Sequence, residues 1–212
     1  MSSLRDRRQR QDSYFRRAKR EGFAARSIYK LEQLDRRFHL LRPGQLVLDL
    51  GCRPGSWLQY ASRAVGEAGH VVGLDREPPD PPIAANVSVV VGDALQIDPR
   101  SLSSALPEGK RAPFDVVLSD LAPDTSGIAF TDQVRSVELF LRALALSIDL
   151  GRPGGSFVGK VFMGEGFVEA LGQVRRAYAR SRTARPDATR RASSELYIVA
   201  TGRRPASRST EE

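Results

Sequence analysis

Between Gln45 and Gly202, short runs of β-branched and leucine residues alternate with longer stretches whose apolar positions recur every three to four residues. The runs "LVLDL" (46–50), "HVVGLD" (70–75), "VSVVVGD" (87–93), "FDVVLSD" (114–120), "GSFVGKVF" (155–162) and "ELYIVATG" (195–202) read as strands. Helices are predicted over 55–65, over 131–150 with Thr131 or Asp132 as cap and Gly151 as stop, and over 165–179. Upstream, residues 4–38 read as helical with a break near Gly22. There Ile28, Leu31, Leu34 and Phe38 recur at helical spacing behind Ser27 as cap. Strands alternating with helices imply right-handed crossovers and a mostly parallel sheet covered on both faces.

A length of 212 residues suits one domain with a sizeable core. The expected organisation is a basic N-terminal helical extension (1–40) packed on a core domain (41–202), followed by a disordered tail (203–212). No internal repeat is visible. One cysteine, Cys52, excludes an intramolecular disulfide and multi-cysteine metal sites, and His39 and His70 lie in unrelated contexts. No metal is therefore expected. No secretory signal or membrane-spanning run is visible, so a cytoplasmic protein without a membrane partner is expected.

Charge changes the picture more. A formal net charge of +8 comes from 33 Lys plus Arg against 25 Asp plus Glu. The cations are nearly all arginine, clustered between Arg5 and Arg26 and again between Arg175 and Arg191. Two dense clusters around a less basic centre point to a polyanion, with nucleic acid ahead of membrane. The expected RNA path lies between the N-terminal helices and the segment 175–191.

The carboxylates are placed differently. Asp49, Asp75, Asp93 and Asp120 each end a predicted strand, which suggests an acidic rim where open α/β sheets bind ligands. Gly51 and Gly55 follow the first strand and precede a helix, so backbone can pass close to a ligand there. The turn lacks the G-K-[ST] of a phosphate loop and the G-x-G-x-x-G of a dinucleotide site. Asp75 follows the turn at the distance where an acid binds ribose hydroxyls, so an adenosine-containing ligand is expected across the first strands.

Five ordered motifs carry a family resemblance: "ARSIYKLEQLD", "DLGCRPGSWLQ", "LSDLAPDTSG", "GGSFVGKVFMGEG" and "RRASSELYIVATG". From about Asp12 to Gly202 the chain resembles the FtsJ/RrmJ family of S-adenosylmethionine-dependent ribose 2′-O-methyltransferases of large-subunit ribosomal RNA. The resemblance implies a Rossmann-like α/β fold with a mostly parallel seven-stranded sheet. It also implies a catalytic tetrad of Lys30, Asp120, Lys160 and Glu195. For the cofactor, it implies Gly51, Gly55 and Trp57 around the methionine and ribose, Asp75 on the ribose hydroxyls, Asp93 at the adenine edge and Asp120 at the methionine end. Arg53 and Ser56 depart from the pattern, standing where the family usually has alanine and often a second glycine. Ser56 is able to cap the helix. Arg53 has three readings, namely weaker cofactor binding, an RNA contact or an outward orientation.

A ribose hydroxyl is a poor nucleophile, whereas the methyl sulfonium of S-adenosylmethionine is already activated. Catalysis then requires in-line alignment and removal of one proton. Lys160 is the expected base. An ordinary lysine amine is protonated at neutral pH, so the role asks for burial and a nearby cation, for which Lys30 is the candidate. Asp120 and Glu195 are expected to orient the lysines. The expected activity is methyl transfer to a ribose 2′-hydroxyl, of a uridine in large-subunit ribosomal RNA, by a monomer working on RNA or the assembled subunit. The alternatives are a tRNA 2′-O-methyltransferase and a non-catalytic RNA-binding ribosome-assembly factor.

Overall fold

The period-two patterning of the apolar runs sends successive side chains to opposite sides of one sheet. Val47, Val71, Val116, Val158 and Val199 face one core cluster, and their neighbours Leu48, Val72, Val117, Phe157 and Ile198 face the other. The computed structural model describes residues 13–80, 83–124, 126–190 and 193–205. Its strands are β1 (Leu46–Leu50), β2 (His70–Asp75), β3 (Val87–Val91), β4 (Phe114–Ser119), β5 (Gly151–Phe162), β6 (Tyr178–Ala184) and β7 (Glu195–Arg203). Helices are α1 (described over 13–20), α2 (Ile28–Phe38), α3 (Ser56–Val65), α4 (Pro99–Ser104), α5 (Ala129–Leu150) and α6 (Phe167–Ala177).

The sheet order is β3-β2-β1-β4-β5-β7-β6. Strands β1 to β5 are parallel, and β7 runs antiparallel to both β5 and β6. One core cluster packs α4, α5 and α6 on one face, and the other packs α2 and α3 on the opposite face. Each fully buried aliphatic or phenylalanine side chain contributes roughly 1.5–3 kcal/mol, so strands buried on both sides hold the sheet as one unit. Among the described residues, no helix is long and apolar enough to cross a membrane.

Several local expectations are corrected. The sequence pattern reads residues 165–179 as one helix, but α6 ends at Ala177 and β6 follows. "YARSRTA" shows no strand alternation because β6 is an edge strand with an exposed, arginine-bearing stretch. Helix α5 starts at Ala129 rather than at a Thr131 or Asp132 cap; Asp132 instead accepts hydrogen bonds from the Ser126 N–H and hydroxyl. Ser27 does not cap α2 through its side chain, nor does Ser56 cap α3, where Gly55 is the N-cap. The two serine hydroxyls hydrogen-bond to each other at 2.8 Å, tying the starts of α2 and α3 together. Asp93 lies two residues beyond the end of β3. The break at Gly22 is present, as a turn with φ 73°. The expected helix over 4–12, the basic positions there and most of the expected tail lie outside the described residues.

Candidate active site

The parallel strands bring their carboxyl ends to one edge, and β7, running the other way, contributes its first residues there. Asp75, Asp120, Phe162 and Glu195 thereby come together from four separate stretches of chain. The β5–β7 register places Lys160 opposite Tyr197 and Phe162 opposite Glu195. Directly paired residues share a face of an antiparallel ladder, so Lys160, Tyr197 and Glu195 all project toward α2. Lys30, on α2, meets them.

The four tetrad residues form two ion pairs around one tyrosine. Lys160 is 6% exposed; its Nζ donates to the Asp120 carbonyl at 2.7 Å and lies 3.0 Å from Asp120 Oδ1. Tyr197 donates its hydroxyl to the same carboxylate oxygen at 2.7 Å. Lys30 Nζ lies 2.6 Å from Glu195 Oε1 and 5.9 Å from the centre of the Tyr197 ring. Burial opposes ionisation of Asp120, but the charges of Lys160 and Lys30 and the hydrogen bonds from Tyr197 and Lys160 outweigh it. They hold the carboxyl below its ordinary range. Burial, followed by the charges of Asp120 and Glu195, pushes the Tyr197 phenol well up, so it stays a neutral donor. Gly159 before the lysine has a steric reason: a Cβ there would lie 2.6 Å from the rings of Phe140 and Phe157.

A cavity of about 530 Å³ opens beside this cluster, across the ends of β1, β2, β3 and β4. Gly51, Leu74, Asp75, Asp93, Leu95, Asp120 and Leu121 line it. Gly51 adopts φ 77°, and a Cβ there would meet the Leu121 backbone nitrogen at 2.9 Å. Asp75 accepts from the backbone N–H groups of Arg53 and Arg76 at 2.9 and 2.7 Å, which fixes its carboxylate at the cavity wall. Asp93 is held by the Leu95 N–H at 2.9 Å.

Two expected cofactor residues lie elsewhere. Trp57 is only 3% exposed; its indole N–H donates to the Ser27 carbonyl and its ring lies beside Tyr197. It braces α3 against α2 and does not line the cavity. Gly55, likewise absent from that lining, belongs to a smaller groove on the other side of the turn. Arg53 reaches outward to Glu77 and Asp80, at 3.2 Å from the latter, and contributes to the cavity rim.

Three further groups belong to the site. Asp49 is completely buried on the α3 side of β1, and neither carboxylate oxygen has a hydrogen-bond partner. Burial first, then the charges of Asp120 and Asp75, raise its pKa well above the usual carboxylate range. A second cavity, about 490 Å³, lies on the other side of the Lys30–Glu195 pair, lined also by Arg26, Ser27, Arg190 and Ser193. Arg26 donates to the Ala188 carbonyl at 2.8 Å, while its other terminal nitrogen is buried and unpartnered. Burial, and next the charge of Arg190, depress the Arg26 guanidinium. Two arginines facing one cavity with little acid between them make an anion-receptive wall. Arg26 and Arg190 were visible only as members of the two basic clusters. What singles them out is contact, which spacing along the chain does not reveal.

The basic segment 175–191 is divided. Arg185 and Arg190 sit at the active-site edge, but Arg175 and Arg176 lie at the opposite edge of the sheet. Strand β6, about 20 Å long at ~3.3 Å per residue, runs between them.

A seven-stranded sheet with one antiparallel strand, helices on both faces and an acid-lined cavity over its carboxyl edge defines a Rossmann-like methyltransferase domain. A crystal structure from Plasmodium falciparum assigned to a ribosomal RNA methyltransferase has the same fold, with a TM-score of 0.74 at 24% identity over 85% of this chain and 98% of that one. A fibrillarin/Nop5p complex matches at TM-score 0.57 and 17% identity over 82% of each chain. The FtsJ-like methyltransferase model matches residues 23–203. This chain belongs to the FtsJ-like methyltransferase family. It is 45% identical over 188 residues to a ribosomal RNA large subunit methyltransferase E of Desulfatibacillum aliphaticivorans, covering 89% of this chain and 88% of that protein. It is 46% identical over 197 residues to the protein of that name from Sorangium cellulosum, covering 93% and 90%.

Proposed function

We propose that this protein transfers a methyl group from S-adenosylmethionine to a ribose 2′-hydroxyl of large-subunit ribosomal RNA, a uridine being the expected target. The observation that carries this reading is the Lys160–Asp120 and Lys30–Glu195 pair of ion pairs, which stands between an acid-lined cavity and an arginine-lined one.

The first cavity fits the cofactor. Its volume suits an adenosine-sized molecule. Asp75 offers acceptors for ribose hydroxyls, Leu74, Leu95 and Leu121 offer apolar walls for a base, and Asp93 offers an acceptor at the base edge. The glycine at position 51 leaves room that any side chain would take. Asp120, with the orphaned Asp49 carboxyl close enough to feel its charge, supplies acid where the ammonium of the cofactor's zwitterionic methionine end belongs. When bound, S-adenosylmethionine supplies a methyl group activated by a positively charged sulfur.

The remaining work falls to the protein. Arg26 and Arg190 hold the phosphates flanking the target nucleotide, and so bring its ribose to the tetrad. Lys160, held by Asp120 and backed by Tyr197, acts in its neutral form: the proton of its ion pair leaves to solvent before the transfer. The free amine then accepts the 2′-hydroxyl proton as the carbon–oxygen bond forms and the sulfur–carbon bond breaks, S-adenosylhomocysteine leaving as product. Lys30, anchored by Glu195, lies on the substrate side and stabilises negative charge developing on that oxygen. Arginine cannot replace Lys160, because guanidinium does not release its proton in proteins.

The names of the relatives favour ribosomal RNA of the large subunit over tRNA. The deciding experiment incubates the purified protein and methyl-labelled S-adenosylmethionine with large-subunit ribosomal RNA, intact large subunits and total tRNA in parallel. Products are then mapped by alkaline hydrolysis and mass spectrometry. Alkali-resistant methylation at a uridine of the ribosomal RNA is the expected result. Label in tRNA alone, or on a base, overturns the reading.

A further inference from the structure

The divided basic segment leaves arginines that the catalytic edge does not use. Arg180 and Arg182 are exposed on β6, two residues apart, and so project to the same side of the edge strand. At the far end of β6, Arg176, Arg203 and Arg204 line a third cavity of about 490 Å³ with an aliphatic floor that includes Leu141, Leu144 and Ile148. Tyr178 pairs with Arg203 in the sheet, and the Arg204 N–H donates to the Ala177 carbonyl at 2.8 Å, which locks this cluster together. None of these five arginines forms an ion pair with another described residue. The Arg203 Nε is buried without any partner.

Protection of an exposed edge from strand pairing accounts for charge on β6 itself. Favourable placement at a helix C-terminus accounts for one cation at the end of α6. Neither reason gathers three arginines of two different elements around one cavity without a carboxylate. Like charges that converge unpaired are stabilised by a polyanion, and their line continues from the arginines of the active-site rim. Arg180 and Arg182 stand about 6–7 Å apart along the strand, a spacing on the scale of successive nucleotides.

We propose that the edge of β6 and the cluster of Arg176, Arg203 and Arg204 form a second phosphate-binding surface. It holds the backbone of an RNA segment about 20 Å from the reacting ribose. The inference rests on the reading that the substrate is RNA. It adds that this RNA reaches past the catalytic edge along the side of the sheet. The contacts are to phosphate, so they supply affinity without base discrimination.

The test compares wild type with an Arg176→Gln/Arg180→Gln/Arg182→Gln/Arg204→Gln variant, and with the corresponding four-lysine variant. Binding and methylation are measured on naked large-subunit ribosomal RNA and on a short single-stranded RNA carrying the target nucleotide. For the glutamine variant, the long RNA should show a KM or Kd raised about tenfold or more. The dependence of log K on log salt should become shallower by about three, one contact contributing roughly 0.7–0.9. The kcat, the affinity for S-adenosylmethionine and turnover of the short RNA should remain at wild-type values, and the lysine variant should bind nearly as wild type. An unchanged affinity and salt slope on the long RNA overturns the proposal. With assembled large subunits added as a third substrate, a loss seen there alone also overturns it and assigns the surface to a ribosomal protein. Failure of the methyl-transfer reading shows differently, as a wild-type chain that binds RNA in a salt-dependent way and leaves its ribose unmethylated.

Discussion

The two halves of the carboxyl edge are built with opposite charge. Over β1, β2 and β3 the edge is acidic, with Asp75 and Asp93 around one cavity and Asp49 buried behind it. Beyond β4 it is cationic, with Lys160, Lys30, Arg26 and Arg190. The seam between them is Asp120, an acid of the first half ion-paired to a lysine of the second. A cofactor carrying positive charge and a substrate carrying a phosphate chain require opposite environments within a few ångströms. Asp120 and Lys160 meet that requirement by neutralising each other where the two halves join.

The comparison breaks most completely at the seam. Lys160→Arg keeps the charge and removes the ability to accept a proton, so methyl transfer is expected to fall by about 10²–10⁴-fold. Calorimetric affinity for S-adenosylmethionine should stay close to wild type. Single-turnover incorporation of labelled methyl into RNA makes the measurement, and retained transfer would sink the assignment of the base.

A change within one half should leave the other intact. Asp75→Ala removes a charged acceptor from the acidic side and should weaken cofactor binding roughly 10–100-fold, in line with ~1.5–3 kcal/mol for a charge-assisted hydrogen bond. RNA affinity measured without cofactor should not move. Conversely, Arg26→Ala should weaken RNA binding several-fold to about tenfold and flatten its salt dependence, with cofactor affinity unaltered. If either variant damages both ligands equally, the division between the halves is wrong.

The smallest effects separate two acids that share a neighbourhood. The folded pKa of Asp120 is depressed, so this group stabilises the fold above its unfolded pKa near 3.9, and that stability is lost as pH falls through the folded value. Asp49 is the reverse case. Its pKa is raised, so its burial in neutral form becomes a growing cost as pH climbs from about 4 toward the folded value. Thermal unfolding against pH should therefore show Asp120→Asn melting a few degrees below wild type at neutral pH, with the gap closing in acid. Asp49→Asn should melt a few degrees higher at neutral pH, its gain vanishing below about pH 4. Equal shifts at every pH would show that neither carboxyl titrates as described.

Much of this was legible in the chain. Short, nearly continuous apolar runs in "LVLDL", "FDVVLS" and "GSFVGKVF" identified core strands, because residues buried on both faces are apolar at consecutive positions. The seventh strand of the observed sheet was not legible from patterning. "YARSRTA" is an edge strand, and an edge exposes too much of itself to carry a hydrophobic signature. Caps were misread for a related reason: Ser27 and Ser56 have the right chemistry, but each hydroxyl finds the other across the helix pair. The resemblance placed Trp57 around the cofactor; in the structure its ring packs against Tyr197 and its indole N–H bonds to Ser27 on the α2 side.

The sequence by itself determined which residues are scarce and chemically apt, namely four strand-end acids, the turn at Gly51 and a lysine where almost every other cation is arginine. Those are properties of side chains and of local spacing, and they survive without knowledge of the fold. Tertiary structure alone decided the pairings. It set Lys30 on Glu195 from a distance of 165 residues, hung Tyr197 on Asp120, aimed Arg26 and Arg190 at one cavity and sent Arg176 to the far edge. Pairing depends on strand order and direction, and the turn of β7 against β5 is what brings Glu195 to Lys30. A chain read in one dimension carries no record of that turn.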